Sequence, residues 1–103
     1  MSTFQRACSA AELHSKGQLG LTIGSMKLAL FKVGEKFVAT NGLCPHADGP
    51  LAEGEVDGDL VTCPWHGWSF CLKTGVSPDD EAMVLQLYEV RVEGDDVLVA
   101  LPA

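Results

Sequence analysis

Two short clusters of Cys and His are the residues of this sequence best suited to chemistry. Cys44 lies two positions before His46, and after sixteen further residues Cys63 lies three positions before His66. The whole chain has four cysteines and three histidines, so the two clusters take half of its thiols and most of its imidazoles. A thiolate and a neutral imidazole are both good ligands for transition metals. The two clusters therefore predict a metal centre with four protein ligands.

The order of residues within each cluster distinguishes two kinds of metal centre. A structural zinc site also uses two Cys and two His, but zinc fingers keep the two Cys together and the two His together. Here each cluster has one Cys followed by one His, which suits two irons that each take one kind of ligand. Ligation of one iron by two Cys and of the other by two His defines the Rieske [2Fe–2S] centre. The spacing closely resembles that of the Rieske family, and the resemblance extends over nearly the whole chain.

Length and charge limit the other possibilities. A chain of 103 residues is long enough for one domain with a modest core, so we expect a single domain over 1–103. Fourteen acidic and seven basic residues give a net charge of −7, which argues against binding to nucleic acid or to an anionic membrane. No apolar run approaches the length of a membrane span, and the first six residues lack the apolar region of a secretory signal. We expect a monomer in the cytoplasm with reduced thiols.

The two remaining cysteines, Cys8 and Cys71, fall outside the ligand pattern. We expect both to be buried or half-buried strand residues. High-potential Rieske proteins, which this chain resembles in its ligand spacing, carry a further pair of cysteines in the ligand loops. The matching positions here are Gly49 and Trp65, so no disulfide ties the two loops together. The resemblance is therefore to the soluble, ferredoxin-type members of the family.

The pattern of apolar residues and turns predicts an all-β protein. Ser9 to Glu12 form a capping box, which predicts one helical turn. Gly34–Glu35 and Asp57–Gly58 are typical of hairpin turns. Short strands at this spacing predict a small sandwich or barrel. We expect strands over residues 4–8, 19–23, 27–33, 37–39, 55–56, 60–62, 85–92 and 97–101.

The resemblance implies a more specific fold. Rieske proteins have an antiparallel β-sandwich of two sheets, on which a small cluster-binding subdomain is set. In this chain the subdomain would cover residues about 41–78, with the base built from both ends of the sequence. Pro78 is the candidate for a third loop that shields the cluster, although an ordinary turn proline explains it equally well.

The ligand charges predict a one-electron centre. The thiolates of Cys44 and Cys63 cancel the +2 charge of an oxidised core of two Fe³⁺ and two sulfides, so that one electron brings the site to −1. Because imidazoles are neutral, the potential is higher than that of a cluster with four thiolates. The resemblance places His46 and His66 at the tip, where their outer ring edges would be the electron's exit to a partner.

Two positions after the second ligand His, occupied here by Trp and Phe, indicate where the reduction potential lies within the Rieske range. High-potential relatives place a Ser and a Tyr two and four residues after the second ligand His, and their hydroxyls donate hydrogen bonds to cluster or ligand sulfur. The matching residues here are Trp68 and Phe70, which have no hydroxyl. The resemblance therefore implies a potential near the low end of the range.

No residues remain for catalysis by the domain itself. Once the four ligands are assigned, His14 stands alone, and the sequence has no glycine-rich nucleotide fingerprint. We expect an electron carrier rather than an enzyme. Five carboxylates lie between the two ligand pairs, and some of them should surround the cluster and steer a basic partner. They are Asp48, Glu53, Glu55, Asp57 and Asp59.

Three hypotheses for function remain open. The favoured one is a shuttle that takes electrons from a flavin reductase to a terminal oxygenase, as in bacterial systems that hydroxylate aromatic rings. The second is the small Rieske subunit of an NAD(P)H-dependent nitrite reductase. The third is an interaction module that is stabilised by zinc and has no redox role.

Overall fold

The computed structural model describes residues 2–34, 36–42, 50–65, 67–78 and 84–102. Within these ranges the chain forms one short α-helix, α1 (Ala10–Lys16), and a single 3-10 turn at Leu51–Glu53. The strands are β1 (Ser2–Ser9), β2 (Gln18–Ile23), β3 (Met26–Val33), β4 (Lys36–Asn41), β5 (Glu55–Asp57), β6 (Leu60–Thr62), β7 (Ser69–Cys71), β8 (Leu87–Tyr88), β9 (Val90–Glu93) and β10 (Asp96–Pro102).

The strands form three antiparallel sheets. The first has the order β1-β10-β9, the second β2-β3-β4-β8, and the third β5-β6-β7. Strand β1 pairs with β10 along nearly its whole length, so both ends of the described chain lie in the first sheet. The expected all-β class with antiparallel sheets is confirmed.

The second sheet lies between two hydrophobic cores. On one side, which we call the base core, Leu28 and Leu30 of β3 pack with residues of the first sheet such as Val99. On the other side, which we call the loop core, Ala29 and Phe31 of β3 pack with residues of the third sheet. Successive side chains of a strand point to opposite faces, so β3 supplies both cores in turn. All four of these β3 residues are at most 1% exposed.

The predicted cap of α1 is present. The Ser9 hydroxyl oxygen accepts a hydrogen bond of 3.0 Å from the backbone N–H of Glu12, as a capping box requires. The helix has seven residues, so it is longer than the single turn that the sequence predicts. It ends at Lys16 and is capped by Gly17, whose backbone N–H donates to the carbonyl of Leu13. Leu13 is fully buried and anchors the helix to the base core.

The sequence prediction differs from the structure in the segment 85–92. It is not one strand, because β8 pairs with β4 in the second sheet and β9 pairs with β10 in the first. The chain crosses from one sheet to the other at Glu89, whose carbonyl accepts a hydrogen bond from Ala100. Leu87, Tyr88 and Val90 are all half-buried. Their spacing is therefore typical of one continuous strand, although the segment spans two sheets.

The third sheet also shows two smaller differences. Asp57 pairs with Leu60, so the two-residue loop is Gly58–Asp59 and lies one residue later than predicted. Strand β7 pairs with β6 and was not predicted from the sequence. Its three residues are too few to establish a period.

Cys8 is buried in β1 and Cys71 is half-buried in β7, as the sequence predicts. Both are free thiols. Across the described part of the chain, no helix has the length and apolar character needed to cross a membrane.

Candidate metal centre

Of the four predicted ligands, Cys63 is the one that the structure describes. It lies directly after β6. Cys63 is 1% exposed and packs in the loop core. Its backbone N–H donates a 2.7 Å hydrogen bond to the carbonyl of Trp68, and its own carbonyl accepts one of 3.1 Å from the N–H of Gly67. These two bonds close the turn between β6 and β7 with Cys63 at its base. His66, the predicted partner in this turn, lies outside the described residues.

The backbone around Cys63 leaves little freedom. Gly54 is buried, and a Cβ at this position would overlap the carbonyl oxygen of Thr62, the residue before Cys63. Gly67 has a φ of +73°, which an L residue with a side chain rarely adopts. The hydroxyls of Thr62 and Ser69 are 3.0 Å apart across the two strands. The position of the Cys63 thiol therefore follows from backbone packing on both sides of the turn.

The first ligand loop is defined by its two ends. Cys44 and His46 lie outside the described residues. On either side of them, the backbone N–H of Leu51 donates a 3.0 Å hydrogen bond to the carbonyl of Gly42, and the N–H of Gly42 donates to the carbonyl of Lys27. The chain on both sides of the first cluster is thus bonded together and held on the hairpin of β2 and β3.

Gln18 ties this region to the second sheet. Its side-chain amide nitrogen donates to the carbonyls of both Ala52 and Gly54, the latter at 2.7 Å. These carbonyls lie in the short stretch between the first ligand loop and β5. A single side chain of β2 therefore fixes the path of the chain from one ligand loop toward the other.

A third segment, residues 75–85, is closed by backbone hydrogen bonds at its base, near the second ligand loop. Val76 and Val84 form an isolated antiparallel bridge, and the N–H of Leu85 donates a 2.7 Å hydrogen bond to the carbonyl of Gly75. Pro78 is exposed within this segment. The residues from there to Val84 lie outside the described part, so the shielding role of Pro78 stays a prediction.

Asn41 connects the third segment to the first ligand loop. Its backbone N–H donates to the carbonyl of Gln86 at 3.1 Å, and its side-chain oxygen accepts from the N–H of Gln86 at 3.0 Å. Asn41 is the last residue of β4 and lies directly before the first loop. Asn41 therefore joins the base of the first ligand loop to the base of the third segment.

The register of the third sheet distinguishes Cys63 from Cys71 as a ligand. Thr62 pairs with Ser69 at the end next to Cys63, whereas Cys71 pairs with Leu60 at the opposite end. Two residues along a strand span about 7 Å, and Cys71 follows Phe70, so its side chain points to the other face. Cys71 is therefore placed away from the ligand turn.

The environments of the two other thiols do not suggest a second metal centre. Hydrogen bonds from the backbone N–H of Lys73, and further bonds from Thr74, lower the pKa of the Cys71 thiol, because they stabilise the thiolate. Burial raises the pKa of the Cys8 thiol, which lies in the base core. Among the described thiols, the buried and free thiol of Cys63 fits the donor set of a Cys₂His₂ iron–sulfur site.

The same register orders the acidic residues along the third sheet. Glu55 pairs with Thr62 and so lies at the end next to Cys63, while Asp57 pairs with Leu60 at the far end. Both carboxylates are exposed. Glu55 therefore lies at the same end of the sheet as Cys63, with its side chain on the face opposite the loop core, because Val56 packs against that core.

The remaining acidic residues of the predicted set differ in their surroundings. Asp59 lies in the far turn and pairs with Lys73 at 3.6 Å. Glu53 is exposed at the end of the 3-10 turn, and Asp48 lies outside the described residues. Of the described members, Glu55 therefore lies closest to Cys63 in the register of the sheet, with Glu53 two residues before it in the sequence.

Comparisons with known proteins agree on one family. A model of the Rieske [2Fe-2S] domain matches residues 3–99. The biphenyl dioxygenase ferredoxin subunit of Pseudomonas sp. (strain KKS102) is 39% identical over 99 residues, which cover 94% of this chain and 91% of that protein.

Solved structures give the same result. The complex of reduced oxygenase and oxidized ferredoxin in carbazole 1,9a-dioxygenase contains a chain that is 33% identical, with a TM-score of 0.84 and coverage of 94% of this chain and 92% of that one. The ferredoxin of Sphingomonas yanoikuyae B1 is 27% identical, with a TM-score of 0.86 and coverage of 97% and 100%. The Rieske-type fold expected from the resemblance is confirmed by this likeness.

The tie formed by Gln18 yields a first prediction. Replacing Gln18 with Ala removes both hydrogen bonds to the segment between the ligand loops and leaves two carbonyls without this donor. We expect the free energy of unfolding to fall by about 1–3 kcal/mol and the visible absorption of the metal centre to be lost faster in the presence of a chelator. Gln86→Ala is the control, because the Gln86 side chain is exposed and, among the described residues, donates to its neighbour Leu87. Equal rates of metal loss in the two variants would contradict the role of Gln18.

Proposed function

Because the chain belongs to the Rieske [2Fe–2S] domain family, it holds one Rieske-type [2Fe–2S] cluster, and we propose that it carries single electrons from a flavin reductase to a terminal oxygenase. The observation that carries this proposal is the pair of Cys/His ligand clusters in a chain that is 39% identical to a dioxygenase ferredoxin over almost its full length. When bound, the cluster accepts and releases one electron without bond making in a substrate. The protein is an electron carrier and not an enzyme.

We propose that Cys44 and Cys63 hold one iron and that His46 and His66 hold the other. The burial of the free Cys63 thiol supports this assignment, since a thiolate ligand shielded from water is protected against exchange. Family membership favours the iron–sulfur cluster over a structural zinc ion.

We propose that the third sheet and the loop core form the cluster-binding subdomain, residues about 41–78 within a single domain of 1–103. The loop core supports this division, because it gathers β6, β7 and the 3-10 turn on one face of β3. The pairing of β1 with β10 supports a single domain, because it joins the two ends of the described chain in one sheet.

The acceptor that we propose is the oxygenase component of a ring-hydroxylating dioxygenase. Relatives named as dioxygenase ferredoxins support this acceptor over a nitrite reductase, which is the less favoured alternative. We also propose a monomer in the cytoplasm. The net charge of −7 opposes self-association, and the free thiols of Cys8 and Cys71 suit a reducing compartment.

A low potential would suit acceptance of electrons from a reduced flavin. The loop core supports a low value, because Phe70 is fully buried in it together with Cys63 and brings no hydroxyl to this environment. A hydrogen-bond donor near a ligand sulfur stabilises the reduced state, which carries the additional negative charge. We therefore propose a potential of around −150 mV, at the low end of the Rieske range.

The ligand assignment predicts a sharp contrast between two cysteines. Cys63→Ser should abolish the visible absorption and the electron paramagnetic resonance spectrum of the reduced cluster, whereas Cys71→Ser should preserve both. His66→Cys should give a lower potential if a cluster assembles, because a third thiolate adds negative charge. Anaerobically purified wild-type protein should contain iron and sulfide. Stoichiometric zinc in colourless protein would show the assignment to be wrong.

The potential predicts the effect of one added hydroxyl. Phe70→Tyr should raise the potential by about 40 mV, which corresponds to about 1 kcal/mol of additional stabilisation of the reduced state. Phe37→Tyr is the matched control, because Phe37 packs against the base core, and it should leave the potential unchanged. Redox titration followed by visible absorption measures both. No upward shift in Phe70→Tyr, or a wild-type potential well above zero, would contradict the argument.

The proposed shuttle predicts activity in a reconstituted system. A mixture of NADH, a flavin reductase and the oxygenase component of a biphenyl dioxygenase should hydroxylate substrate through many turnovers only when this protein is added. Cys63→Ser should be inactive in the same mixture. Nitrite-dependent oxidation of NAD(P)H, or co-purification with a large flavoprotein, would instead favour the nitrite reductase.

A further inference from the structure

We propose that Trp65 is the residue that anchors this protein to its electron acceptor, by inserting its indole into an apolar pocket of the terminal oxygenase. This inference rests on the proposed function, because it assigns the contact through which that oxygenase is held. It goes beyond it in naming a residue that selects the partner and sets how long the complex lasts. Trp65 is not one of the predicted ligands.

The first observation is the exposure of Trp65. Trp65 is 60% exposed, more than any other exposed large hydrophobic residue among those described. Trp68, three residues later, packs against the loop core, whereas Trp65 belongs to neither core. Removing a tryptophan from water is strongly favourable. The favourable free energy of burying this ring is not gained in the isolated protein, and it is gained when a partner covers the ring.

The second observation is the rigidity of its support. Trp65 lies inside the turn whose base is fixed by the hydrogen bonds of Cys63 with Trp68 and Gly67. A tryptophan has only two side-chain torsions, so ordering it in a complex costs little entropy. Tryptophans are also enriched among the few residues that dominate binding energies at interfaces. The turn thus presents an apolar group in a nearly fixed place.

The third observation is the position of this turn. Trp65 is the direct sequence neighbour of His66, which we propose as an iron ligand and as the electron's exit. A contact at Trp65 therefore holds the partner next to the place where the electron leaves. The solved complex of an oxygenase with a similar ferredoxin is consistent with an oxygenase as the occupant.

Charge favours the oxygenase over a second copy of this chain. Glu55 is exposed at the end of the third sheet next to Cys63, and Glu53 is exposed two residues earlier. Two copies that met through this end would bring these carboxylates together, in proteins that each carry −7. A pocket with basic residues at its border would instead be attracted. The partner surface that fits is apolar at its centre and basic at its edge.

The two kinds of residue should act on different rates. Charges at the edge of an interface mainly change the association rate and its salt dependence, while a buried anchor mainly changes the dissociation rate. Trp65 should therefore set the lifetime of the complex nearly independently of salt. Glu55 should set the speed of its formation, and the effect should fade as salt rises.

The experiment compares variants of the cluster-containing protein with the purified oxygenase component of the biphenyl dioxygenase of Pseudomonas sp. (strain KKS102). Association and dissociation rates are measured on immobilised oxygenase at low and high salt, and electron transfer is followed by stopped-flow absorption. Trp65→Ala should dissociate at least about thirtyfold faster, and Trp65→Phe should recover part of the loss. Val92→Ala is the control, because Val92 is 47% exposed in β9 of the first sheet, and it should stay within twofold of wild type.

A second pair of variants separates steering from anchoring. Glu55→Gln should slow association at low salt, and Asp57→Asn, at the far end of the third sheet, should slow it less. Neither variant should change the dissociation rate as Trp65→Ala does. The potential and the visible spectrum of Trp65→Ala and Trp65→Phe should match those of wild type, which shows that the cluster is intact.

The possible results have separate meanings. Wild-type dissociation rates in Trp65→Ala, with electron transfer intact, would overturn this inference and leave the proposed function standing. Failure of the wild-type protein to reduce the oxygenase would overturn the proposed function and the inference together. A wild-type dimer that Trp65→Ala converts to a monomer would show that the ring is covered by a second copy, which would also overturn the inference.

Discussion

The burial of β3 on both faces is the constraint on which the rest of this structure depends. Leu28 and Leu30 close the base core, and Ala29 and Phe31 close the loop core on the opposite face. No side chain in this run can become polar without leaving a buried group unsatisfied in one core or the other. The third sheet, whose strand β6 ends next to Cys63, is thereby packed against a strand that the first sheet covers on its other face. A ligand turn at the edge of a chain of 103 residues gains its rigidity from this shared strand.

The ligand loops themselves are fixed chiefly by backbone hydrogen bonds. Cys63, Gly42 and Leu51 all use main-chain groups to close the loops, and Gln18 adds its side-chain amide to the carbonyls between them. Main-chain bonds tolerate changes in the exposed side chains. Exposed side chains of the loops can therefore differ between proteins with different partners, while the backbone that positions the metal ligands is preserved.

The sequence predicts the elements of this fold better than it predicts their assembly. The cap at Ser9 and the strands β1, β3 and β10 follow from local patterns, and the structure confirms them. The crossing at Glu89 does not, because alternation along 85–92 shows which residues are inward and not which sheet receives them. Of the four predicted ligands, Cys63 is the one that lies among the described residues, and its ligand role stays a prediction. The bonds of Gln18 could not be predicted, because they join residues far apart through a polar side chain with no motif.

The strand order has a consequence for how the chain folds. The sheet β5-β6-β7 joins neighbouring segments through short turns, while β1 pairs with β10 across nearly the full length of the sequence, as in the pairing of Ser2 with Pro102. Local contacts form quickly, and closing a long loop is slow. The hairpin of β6 and β7, which carries Cys63, therefore has a much shorter loop to close than the pair of β1 and β10. We expect the ligand turn to form early in folding and the pairing of β1 with β10 to form late.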